Sequence, residues 1–429
     1  MFTSYQETID WIHGRLRLGI KPGLKRMEMM MEKLDHPERR LKTVHIGGTN
    51  GKGSTLTFLR CILEEAGYTV GSFTSPYFEQ FNERISVNGK PISDEEIVQL
   101  ANIIKPLCDE LEETEWGCPT EFEIITAMSM YYFSHIHPVD IVLYEVGLGG
   151  RLDSTNIIYP LISVITSIGL DHTNILGDTY EKIAYEKAGI IKIGLKVVAA
   201  VKQQEALKVI INEAQAKKAQ LYLLGNQFTV ENHQSMENGE SFGVKTAFQQ
   251  LDKLEIQMIG KHQTENAGLA VMTAILLKNY YSFLIDEENI KNGLKRAYWP
   301  GRFEIISKQP FIMMDGAHNE EGIQSLVLEL QRRYPERRKR VIFAGLNDKK
   351  LDKMISHLDE IADKITFVEF DYPRAATAQS LYDLSSSENK SIASSWKEAI
   401  SEERNDLKEN EMIIITGSLY FLSEVKPFI

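Results

Sequence analysis

The chain has 429 residues, more than a typical single hydrophobic core spans, so we expect two domains. The formal net charge is −12, and no basic stripe compensates for it, which argues against a nucleic-acid-binding surface. The N-terminus lacks the apolar run of a signal peptide, and no stretch reaches membrane-spanning length. The three cysteines show no metal-binding spacing. We therefore expect a cytoplasmic protein with reduced thiols and no contact with a membrane.

The first half of the chain alternates between helical and strand patterns. Helices are predicted at 5–13 and 24–34, where a run of methionines suits core packing. Further helices are predicted from the capping boxes at Ser93 and Thr120, and from Asp178 through Ala188. Apolar runs that predict buried strands lie at 44–46, 68–74, 139–146, 161–168 and 196–201. The alternation predicts a doubly wound α/β sheet, and residues 222–258 resemble short β pieces.

A domain boundary is predicted at Tyr298-Trp299-Pro300-Gly301, where a helix over 286–297 ends before a Pro-Gly breaker. The α/β alternation then restarts, with a helix at 320–333. Strands are predicted at 302–306, 311–315, 341–344, 366–370 and 412–416. The sequence thus predicts a phosphate-loop sheet domain over 1–297 and a smaller Rossmann-like α/β domain over 298–429. The basic cluster between 332 and 340 is interpreted as a solvated helix end.

A glycine-rich turn between a strand and a helix marks the first candidate site. It runs through Gly48, Thr49, Asn50, Gly51, Lys52, Gly53 and Ser54. Backbone N–H groups at a helix N-terminus bind anions, and glycines allow the backbone to come close. Lys52 would neutralise phosphate charge, and the Ser54 hydroxyl would occupy a Mg²⁺ position. The pattern departs from the general phosphate-loop motif, because Ile46 replaces the first glycine and Gly53 separates the lysine from the serine.

Polar groups also follow other predicted strands. Glu145, the pair Asp171 and His172, and the run Asp315 to Asn319 each stand at such a strand end, where open α/β sheets bind ligands. Glu145 and His172 could complete a Mg²⁺ shell, although Mg²⁺ prefers oxygen ligands. A paired structural carboxylate and a core histidine remain the alternatives. The aromatic loop 75–84 is either a substrate contact or a packed surface loop.

Taken together, these motifs resemble folylpolyglutamate synthase/dihydrofolate synthase, a family related to the Mur ligases. The matching motifs cover nearly the whole chain and occur in the same order as in the family. The phosphate loop of this family departs from the general motif in the same way. The resemblance is carried by the loop 48–54 and by the motifs Gly147-Leu148-Gly149-Gly150-Arg151-Leu152-Asp153-Ser154-Thr155-Asn156, Asp171-His172, Glu186-Lys187-Ala188-Gly189-Ile190-Ile191-Lys192, His262-Gln263 with Asn266-Ala267, Gly301-Arg302 and Asp315-Gly316-Ala317-His318-Asn319.

The resemblance implies a role for each matching residue. Lys52 and the loop amides would hold ATP, Asn266 would contact adenine, Arg302 the phosphates and Asp315 the ribose. Two Mg²⁺ ions are implied, with Ser54, Glu145, His172 and Lys187 as ligands, Lys187 being carried as a carbamate. The incoming glutamate would meet His318 and Ser418. The folate side would be lined by Ser75, Tyr77, Phe81 and Asp153.

The implied reaction is an ATP-dependent ligation. ATP would phosphorylate a substrate carboxylate, and the glutamate amine would attack the acyl phosphate, with Lys52, Lys187, Arg302 and His318 as catalytic residues. The expected partners are folate or dihydropteroate, L-glutamate and ATP, acting on a monomer. The alternatives are a peptidoglycan Mur ligase, a phosphate-loop kinase and a non-catalytic nucleotide-binding module. The sequence leaves open whether one or both folate reactions occur and how long the polyglutamate product is.

Overall fold

The computed structural model describes residues 1–15, 19 and 21–429 of the chain. Two helices precede the first strand, as predicted: α1 (Tyr5–His13) and α2 (Lys25–Lys33). In α2, Met27, Met30 and Met31 are at most 1% exposed, which confirms their packing role. Among the described residues, no helix combines the length and apolar character needed to cross a membrane.

The larger domain is built on an eight-stranded sheet with the order β4-β3-β2-β5-β1-β6-β7-β8. The strands are β1 (Thr43–Gly47), β2 (Val70–Phe73), β3 (Ile85–Val87), β4 (Lys90–Pro91), β5 (Ile141–Glu145), β6 (Ile162–Ile165), β7 (Lys196–Ala199) and β8 (Gln220–Leu223). From β2 to β8 every neighbouring pair is parallel, so the carboxyl ends of these strands meet at one edge. This is the edge at which the sequence predicts a ligand.

The strands at one edge of the sheet depart from the parallel order. β3 pairs antiparallel with β2 and with β4, which makes the sheet mixed. Antiparallel strands need only short connections, and here a two-residue turn at Asn88 and Gly89 joins β3 to β4. Both turn residues have positive φ, as a tight hairpin turn requires.

Helices cover both faces of this sheet, which confirms the doubly wound prediction. They are α3 (Lys52–Glu65), α4 (Asp94–Glu112), α5 (Glu121–Tyr131), α6 (Thr173–Leu176), α7 (Tyr180–Ala188), α8 (Gln204–Ala216), α9 (Lys261–Tyr281) and α10 (Glu287–Arg296). One core joins α3, α9 and α10 to Leu143 and Val164 of the sheet. On the opposite face, Val142 and Tyr144 pack with α1, α2, α4 and α5, while α7 and α8 pack beside them. The alternation of neighbours along β5 is the period of a strand.

One predicted helix start was wrong. Ser93 and Thr120 do begin α4 and α5 with capping boxes. However, α7 is capped by Thr179, whose hydroxyl accepts from the Lys182 N–H at 3.3 Å. Asp178 instead forms an exposed ion pair with the Lys182 amine at 2.8 Å. A hydroxyl one residue later thus takes the capping role that the carboxylate was predicted to have.

The segment after β8 forms a small antiparallel sheet and then a long helix. The sheet has the strands β9 (Phe228–Met236), β10 (Gly239–Thr246) and β11 (Gln250–Ile256), in agreement with the predicted β pieces. Helix α9 follows and was not predicted. Its residues from Asn266 to Leu277 are all buried, so it lacks the polar face that makes a helix visible in a sequence.

The second domain carries a six-stranded sheet with the order β12-β13-β17-β14-β15-β16. Its strands are β12 (Glu304–Lys308), β13 (Phe311–Asp315), β14 (Arg338–Ala344), β15 (Lys364–Phe367), β16 (Lys390–Ile392) and β17 (Glu411–Gly417). Its helices are α11 (Glu320–Arg333), α12 (Leu351–Asp359), α13 (Ala378–Leu384), α14 (Trp396–Asp406) and α15 (Leu419–Val425). Only β12 is antiparallel to its neighbour. The short β16 was not predicted.

The basic cluster near the end of α11 is not a solvated helix end. The Arg333 side chain is 8% exposed and pairs with Glu240, which is fully buried in β10. The same carboxylate accepts hydrogen bonds from His233 at 2.8 Å and from the Gly260 N–H at 2.7 Å. Glu240 therefore connects the small sheet, the start of α9 and the second domain.

Candidate active site

The phosphate-loop candidate joins β1 to α3, and its glycines are required by close neighbours. Gly48 has a φ of +147°, and a Cβ there would lie 2.0 Å from Thr166 Oγ1. Gly51 caps α3 with a φ of +88°, and its Cβ would lie 2.3 Å from Asn266 Oδ1. Because each position combines a positive φ with a close neighbour, only glycine fits. The loop thus lies tightly between β6 and α9.

The rest of the loop is held from two sides. The Thr49 N–H donates to the Ser167 carbonyl and the Asn50 N–H donates to the Ser167 hydroxyl, both at 2.9 Å. Gly53 lies against the ring of Trp299, which a Cβ at residue 53 would approach to 3.2 Å. Trp299, in the predicted domain boundary, therefore packs directly on the loop.

Lys52 and Glu145 lie near each other beside the loop, and Ser54 is in the first turn of α3. Lys52 begins α3, and its amine donates to the Thr49 carbonyl at 3.2 Å and lies 3.9 Å from Glu145 Oε1. Glu145 ends β5 and is 6% exposed, so burial raises its pKa although Lys52 opposes the shift. Ser54 is buried at the start of α3 and lines the cleft beside the loop.

Helix α7 brings Lys187 back to the phosphate loop. Its amine donates to the Gly48 carbonyl at 2.9 Å. Burial, and then the charge of Lys52, lower the pKa of Lys187 to about 7. An amine with this pKa is partly neutral at pH 7, whereas a free lysine is almost wholly charged. Sequence spacing alone did not predict this environment.

His172 and Asp171 follow β6, as predicted, and face the second domain. His172 lies 4.0 Å from Asp171 Oδ2, and burial lowers the pKa of His172 to about 4, which leaves a neutral imidazole. Burial alone would raise the pKa of Asp171. The Lys349 amine, 2.6 Å away, instead holds the Asp171 pKa well below its usual range.

The second domain contributes Arg302, Asp315 and His318. Asp315 ends β13, where its carboxylate accepts from the Phe303 N–H at 2.7 Å and from the Ala317 N–H at 2.9 Å. Burial raises the Asp315 pKa, and Arg302 opposes the shift. Burial also lowers the pKa of His318 to about 4.

The orientation of these side chains follows from one carbonyl. The Gly316 carbonyl accepts a hydrogen bond from Arg302 Nη1 at 3.2 Å and lies 2.8 Å from His318 Nδ1. Since a carbonyl can only accept, we assign the proton of the neutral His318 ring to Nδ1. The Nε2 atom of His318 is then left with a free lone pair.

Ser54 of the first domain and Arg302 and Asp315 of the second line one cleft between the two domains. Its walls include Asn50, Gly51, Ser54, Thr166, Ser167, His262, Asn266, Arg302, Asp315 and Glu321. The domains also bond directly: Asn50 and Asn319 exchange amide hydrogen bonds of 3.2 and 2.9 Å. Glu321 of α11 accepts from the Leu170 N–H at 2.9 Å. The predicted nucleotide residues from both domains therefore face the same space.

The predicted substrate residues are placed less uniformly. The Ser75 N–H donates to Glu145 at 3.3 Å, so this end of the loop joins the site. Tyr77 is half-buried beside Arg84, whose guanidinium lies 5.3 Å from the ring centre. Phe81 is 4% exposed and packs in the core against His13, so its contact with folate stays a prediction.

Asp153 and Ser418 have local structural bonds. Asp153 accepts from the Leu148 N–H at 2.8 Å and from the Thr155 N–H at 3.0 Å, which fixes the glycine-rich turn after β5. Ser418 follows β17 and caps α15 by accepting from the Tyr420 N–H at 3.2 Å. Both are buried, so their substrate roles stay predictions.

Three residues of the site were not identified by sequence reasoning: Ser167, Glu321 and Lys349. Ser167 stands just after β6, so the rule that polar groups at strand ends bind ligands, which identified the run ending in Asn319, would have identified it too. Lys349 comes later in the loop after β14, and Glu321 lies in the first turn of a helix. Nothing in their local sequence distinguishes them from surface charges.

The donor set fits Mg²⁺ bound together with a phosphorylated ligand. The described residues contain no group of three or more His, Cys, Asp or Glu side chains arranged to hold a metal. Mg²⁺, however, is commonly held by one or two protein oxygens together with substrate phosphates and water. Ser54 and Glu145 provide such oxygens, and Glu145 is a buried carboxylate with one hydrogen bond, from Ser75, in the described part of the chain.

Comparison with known proteins agrees with this arrangement. Residues 118–274 match the family described as Mur ligase middle domain, and residues 301–419 match Mur ligase, glutamate ligase domain. The chain is 48% identical over 426 residues to the dihydrofolate synthase/folylpolyglutamate synthase of Bacillus subtilis (strain 168), with 99% of each chain covered. The chain belongs to this family. It is an ATP-dependent glutamate ligase that acts on folates.

Two further relatives of this folate ligase extend the comparison. The folylpolyglutamate synthase of Lacticaseibacillus casei is 33% identical over 425 residues, covering 99% of this chain and 98% of the relative. A solved structure described as an FPGS-AMPPCP-folate complex superposes with a TM-score of 0.87 at 31% identity, covering 99% of both chains. The mixed eight-stranded and six-stranded sheets are thus the fold of the family.

Proposed function

We propose that this ligase adds L-glutamate both to dihydropteroate and to reduced folates, through an acyl phosphate, with ATP bound in the interdomain cleft. The observation that carries the proposal is that charged groups of both domains lie beside the phosphate loop. The first domain provides Lys52, 3.9 Å from Glu145, and Lys187, whose amine bonds to the loop. The second provides Arg302, which lines the adjoining cleft and opposes the rise in the Glu145 pKa, and His318 beside it. Both acceptors are included because the Bacillus subtilis relative carries both names.

ATP phosphates are assigned to the phosphate loop. The N-terminus of α3 points its free N–H groups toward this position, and Lys52 places a cation beside it. Asn266 borders the loop and is assigned to adenine, while Asp315 on the other wall is assigned to the ribose. Arg302 lies on that same wall, where its guanidinium would oppose charge on the transferred phosphoryl group.

Mg²⁺, when bound, would neutralise phosphate charge and orient the γ-phosphoryl group. Ser54 and Glu145 are assigned to a first ion. His172, with a neutral ring, and Lys187 as a carbamate are assigned to a second.

The reaction requires two displacements. The substrate carboxylate attacks the γ-phosphorus and displaces ADP, and the glutamate amine then attacks the acyl carbon and displaces phosphate. The attacking amine must be neutral, and His318 Nε2, which carries no proton, could accept a hydrogen bond from it. The acyl phosphate must be kept from water, and the interdomain bonds of Asn319 and Glu321 close the cleft around it.

The organisation of the chain is part of the proposal. We assign residues 1–297 and 298–429 to the two domains, because the connector between α10 and β12 holds the Pro-Gly breaker. We propose that the chain acts as a monomer. Light scattering after size-exclusion chromatography measures the mass directly.

The test is a paired assay of phosphate release from ATP with dihydropteroate or tetrahydrofolate, each with and without L-glutamate. We expect release only when both an acceptor and glutamate are present, and mass spectrometry should show products heavier by one glutamyl residue. Turnover with one acceptor alone would reject the second activity. A stable phosphorylated product without glutamate would indicate a kinase, and no turnover would indicate a binding module.

A further inference from the structure

A second cavity lies beside α3 and shares no lining residue with the nucleotide cleft. Its volume is about 610 Å³. Its walls come from α3, the end of β2, the loop 78–83, the connector 298–300 and Lys426 of the second domain. Ser75, Tyr77 and Phe81, which were predicted to contact folate, are not among its walls. The proposed function leaves this cavity without a role.

An arginine at one end of the cavity has unused donors. Arg60 is held by a bond of 2.6 Å from Nη1 to Glu64, its one hydrogen bond within the described part of the chain. Its guanidinium lies over Gly89, where a Cβ would come within 2.4 Å of Nη1. The glycine therefore makes room for the guanidinium, and the remaining N–H groups of Arg60 are free for a ligand.

Arg296 also lines the cavity and bonds to the other oxygen of Glu64 at 2.7 Å, with Glu65 as its second partner at 3.2 Å. The cavity carries no excess charge, because its lining has three cations and three carboxylates: Arg60, Arg296, Lys426, Glu64, Glu79 and Glu83. An anionic group is favoured locally, because within the described residues Arg60 keeps N–H donors that no protein group takes.

A buried hydroxyl adds a second donor. Ser72 on β2 is 3% exposed, and within the described residues its Oγ has no hydrogen-bond partner. A buried polar group without a partner costs free energy, and a ligand atom that accepts its hydrogen bond would remove this cost. Ser72 lines the same cavity as Arg60.

The remaining walls are apolar or carry charged groups that have partners within the protein. The Glu83 carboxylate accepts three backbone N–H groups, from Phe78, Glu79 and Gln80, at 2.8 to 3.0 Å. Lys426 is paired with Glu79 at 3.4 Å. Aromatic and aliphatic side chains complete the walls: Leu56, Phe78, Trp299 and Pro300. A ligand that fits has one anionic group and an apolar body.

We infer that this cavity is a binding site for a small aromatic or aliphatic monocarboxylate, with its carboxylate on Arg60 and Ser72. Arg60 provides charge-assisted donors and Ser72 provides a neutral one. The body of the ligand packs against Trp299 and Phe78. The site is separate from the ATP and folate positions, so the inference does not depend on the proposed function.

The probe is 4-fluorobenzoate, observed by ¹⁹F line broadening with the full chain, and 4-fluorobenzamide serves as its neutral analogue. We expect the benzoate to bind and the benzamide not to bind. Arg60→Gln should weaken benzoate binding by about tenfold or more, as expected for a charge-assisted hydrogen bond. Arg39→Gln, whose side chain is 71% exposed elsewhere, should leave binding unchanged.

Three results would overturn the site. They are equal binding by Arg60→Gln, equal binding of the benzamide, and displacement of the benzoate by AMPPCP with L-glutamate, which would place the probe in the active site. Ser72→Ala keeps every charge and should weaken binding severalfold. It decides the question if Arg60→Gln lowers the melting temperature too far to be used, because unchanged binding by Ser72→Ala would also reject the site.

Discussion

Lys187 has a chemical environment that its place in the sequence does not reveal. Its amine bonds to the phosphate loop at 2.9 Å, and burial lowers its pKa to about 7. About half of such amines are neutral at pH 7, compared with fewer than one in a thousand at a pKa of about 10.4. The neutral amine is the form that reacts with CO₂, so the environment favours the carbamate implied by the family resemblance.

We predict that Lys187→Ala loses turnover and that short carboxylic acids restore part of it by occupying the place of the carbamate. The measurement is phosphate release with and without added acetate or propionate. The Lys52→Ala variant is the control and should gain nothing from the acids. Rescue by small amines instead of acids would show that Lys187 acts as a plain cation.

Lys52 tests the phosphate-loop assignment itself. Lys52→Ala should lower the turnover rate by about 10²-fold or more, because it removes a cation from the transferred phosphoryl group. Its melting temperature should stay close to that of the wild type, since the side chain contributes one bond, to the Thr49 carbonyl. Lys33→Ala, which changes a lysine with a 59% exposed side chain, is the matched control. Near-normal turnover of Lys52→Ala would reject the assignment.

His45 links stability to pH. It is fully buried in β1, bonded to the Thr155 hydroxyl at 2.8 Å, and burial lowers its pKa to about 3. Between pH 3 and about 6.5 the unfolded chain therefore binds a proton here that the folded chain does not. Stability should fall as the pH falls through this window, by at most about 1.4 kcal/mol per pH unit for this group.

The half-buried residues His172 and His318, with pKa values of about 4, act in the same direction. The melting temperature measured from pH 4 to 8 should therefore decrease toward acid, and His45→Gln should show a shallower decrease. An equal slope for His45→Gln and the wild type would contradict the assignment of this proton.

At the scale of elements, α11 is the part of the second domain that bonds to the phosphate loop. Asn319 caps it by accepting from the Gly322 N–H at 2.9 Å, while its amide donates to Asn50 and to Asp171. Serine is a good N-cap but lacks the amide. Asn319→Ser should therefore keep the melting temperature near that of the wild type and still lower the ligation rate.

Thr377→Ala, at the cap of α13 in the same domain, is the matched control for Asn319→Ser. It should lower the melting temperature by removing a cap and leave the ligation rate unchanged. The role of the amide bonds would be contradicted if Asn319→Ser ligated at the wild-type rate.

The elements that the sequence predicted well share a local signal. In the sequence, β1 is marked by an apolar run, the turn after it by its glycines, and α3 by the helical spacing of its apolar residues. In contrast, α9 is buried on all sides and has no amphipathic period to detect. Helix starts can be predicted only approximately from caps. Asp178 and Thr179 are both residues that cap helices well, and only the backbone geometry decides that Thr179 caps α7.

At the scale of the whole molecule, the domains are joined by the ion pair of Asp171 and Lys349 at 2.6 Å, with both side chains at most 10% exposed. Removing one partner leaves a buried charge unpaired. Asp171→Asn and Lys349→Met should each lower stability by about 3–5 kcal/mol. The double variant should lose less than the sum of the two, as measured by chemical denaturation in a double-mutant cycle. Strict additivity would show that the pair is not coupled.

The same pair shows why the site could be only partly predicted. The rule that polar groups at strand ends bind ligands identified Asp171. Its partner Lys349 lies 178 positions later in the chain, and which residue pairs with Asp171 depends on how the domains dock. The burial of Arg333 was not predicted for the same reason, because its partner Glu240 lies in the small antiparallel sheet. The family resemblance assigned Phe81 to the folate side, and only the fold shows that its ring is 4% exposed and packs in the core.

Helix α11 has 14 residues and is therefore about 21 Å long. Its first turn is fastened by Asn319 and Glu321, and its last turn by the buried pair of Arg333 and Glu240. A helix held at both ends can rotate about its own axis but cannot tilt. Opening the cleft must therefore break the contacts at one end of α11. The end near the phosphate loop is held by the carboxylates of Glu321 and Asp171 as well as by amides, so neither end can be released without breaking a bond to a charged group.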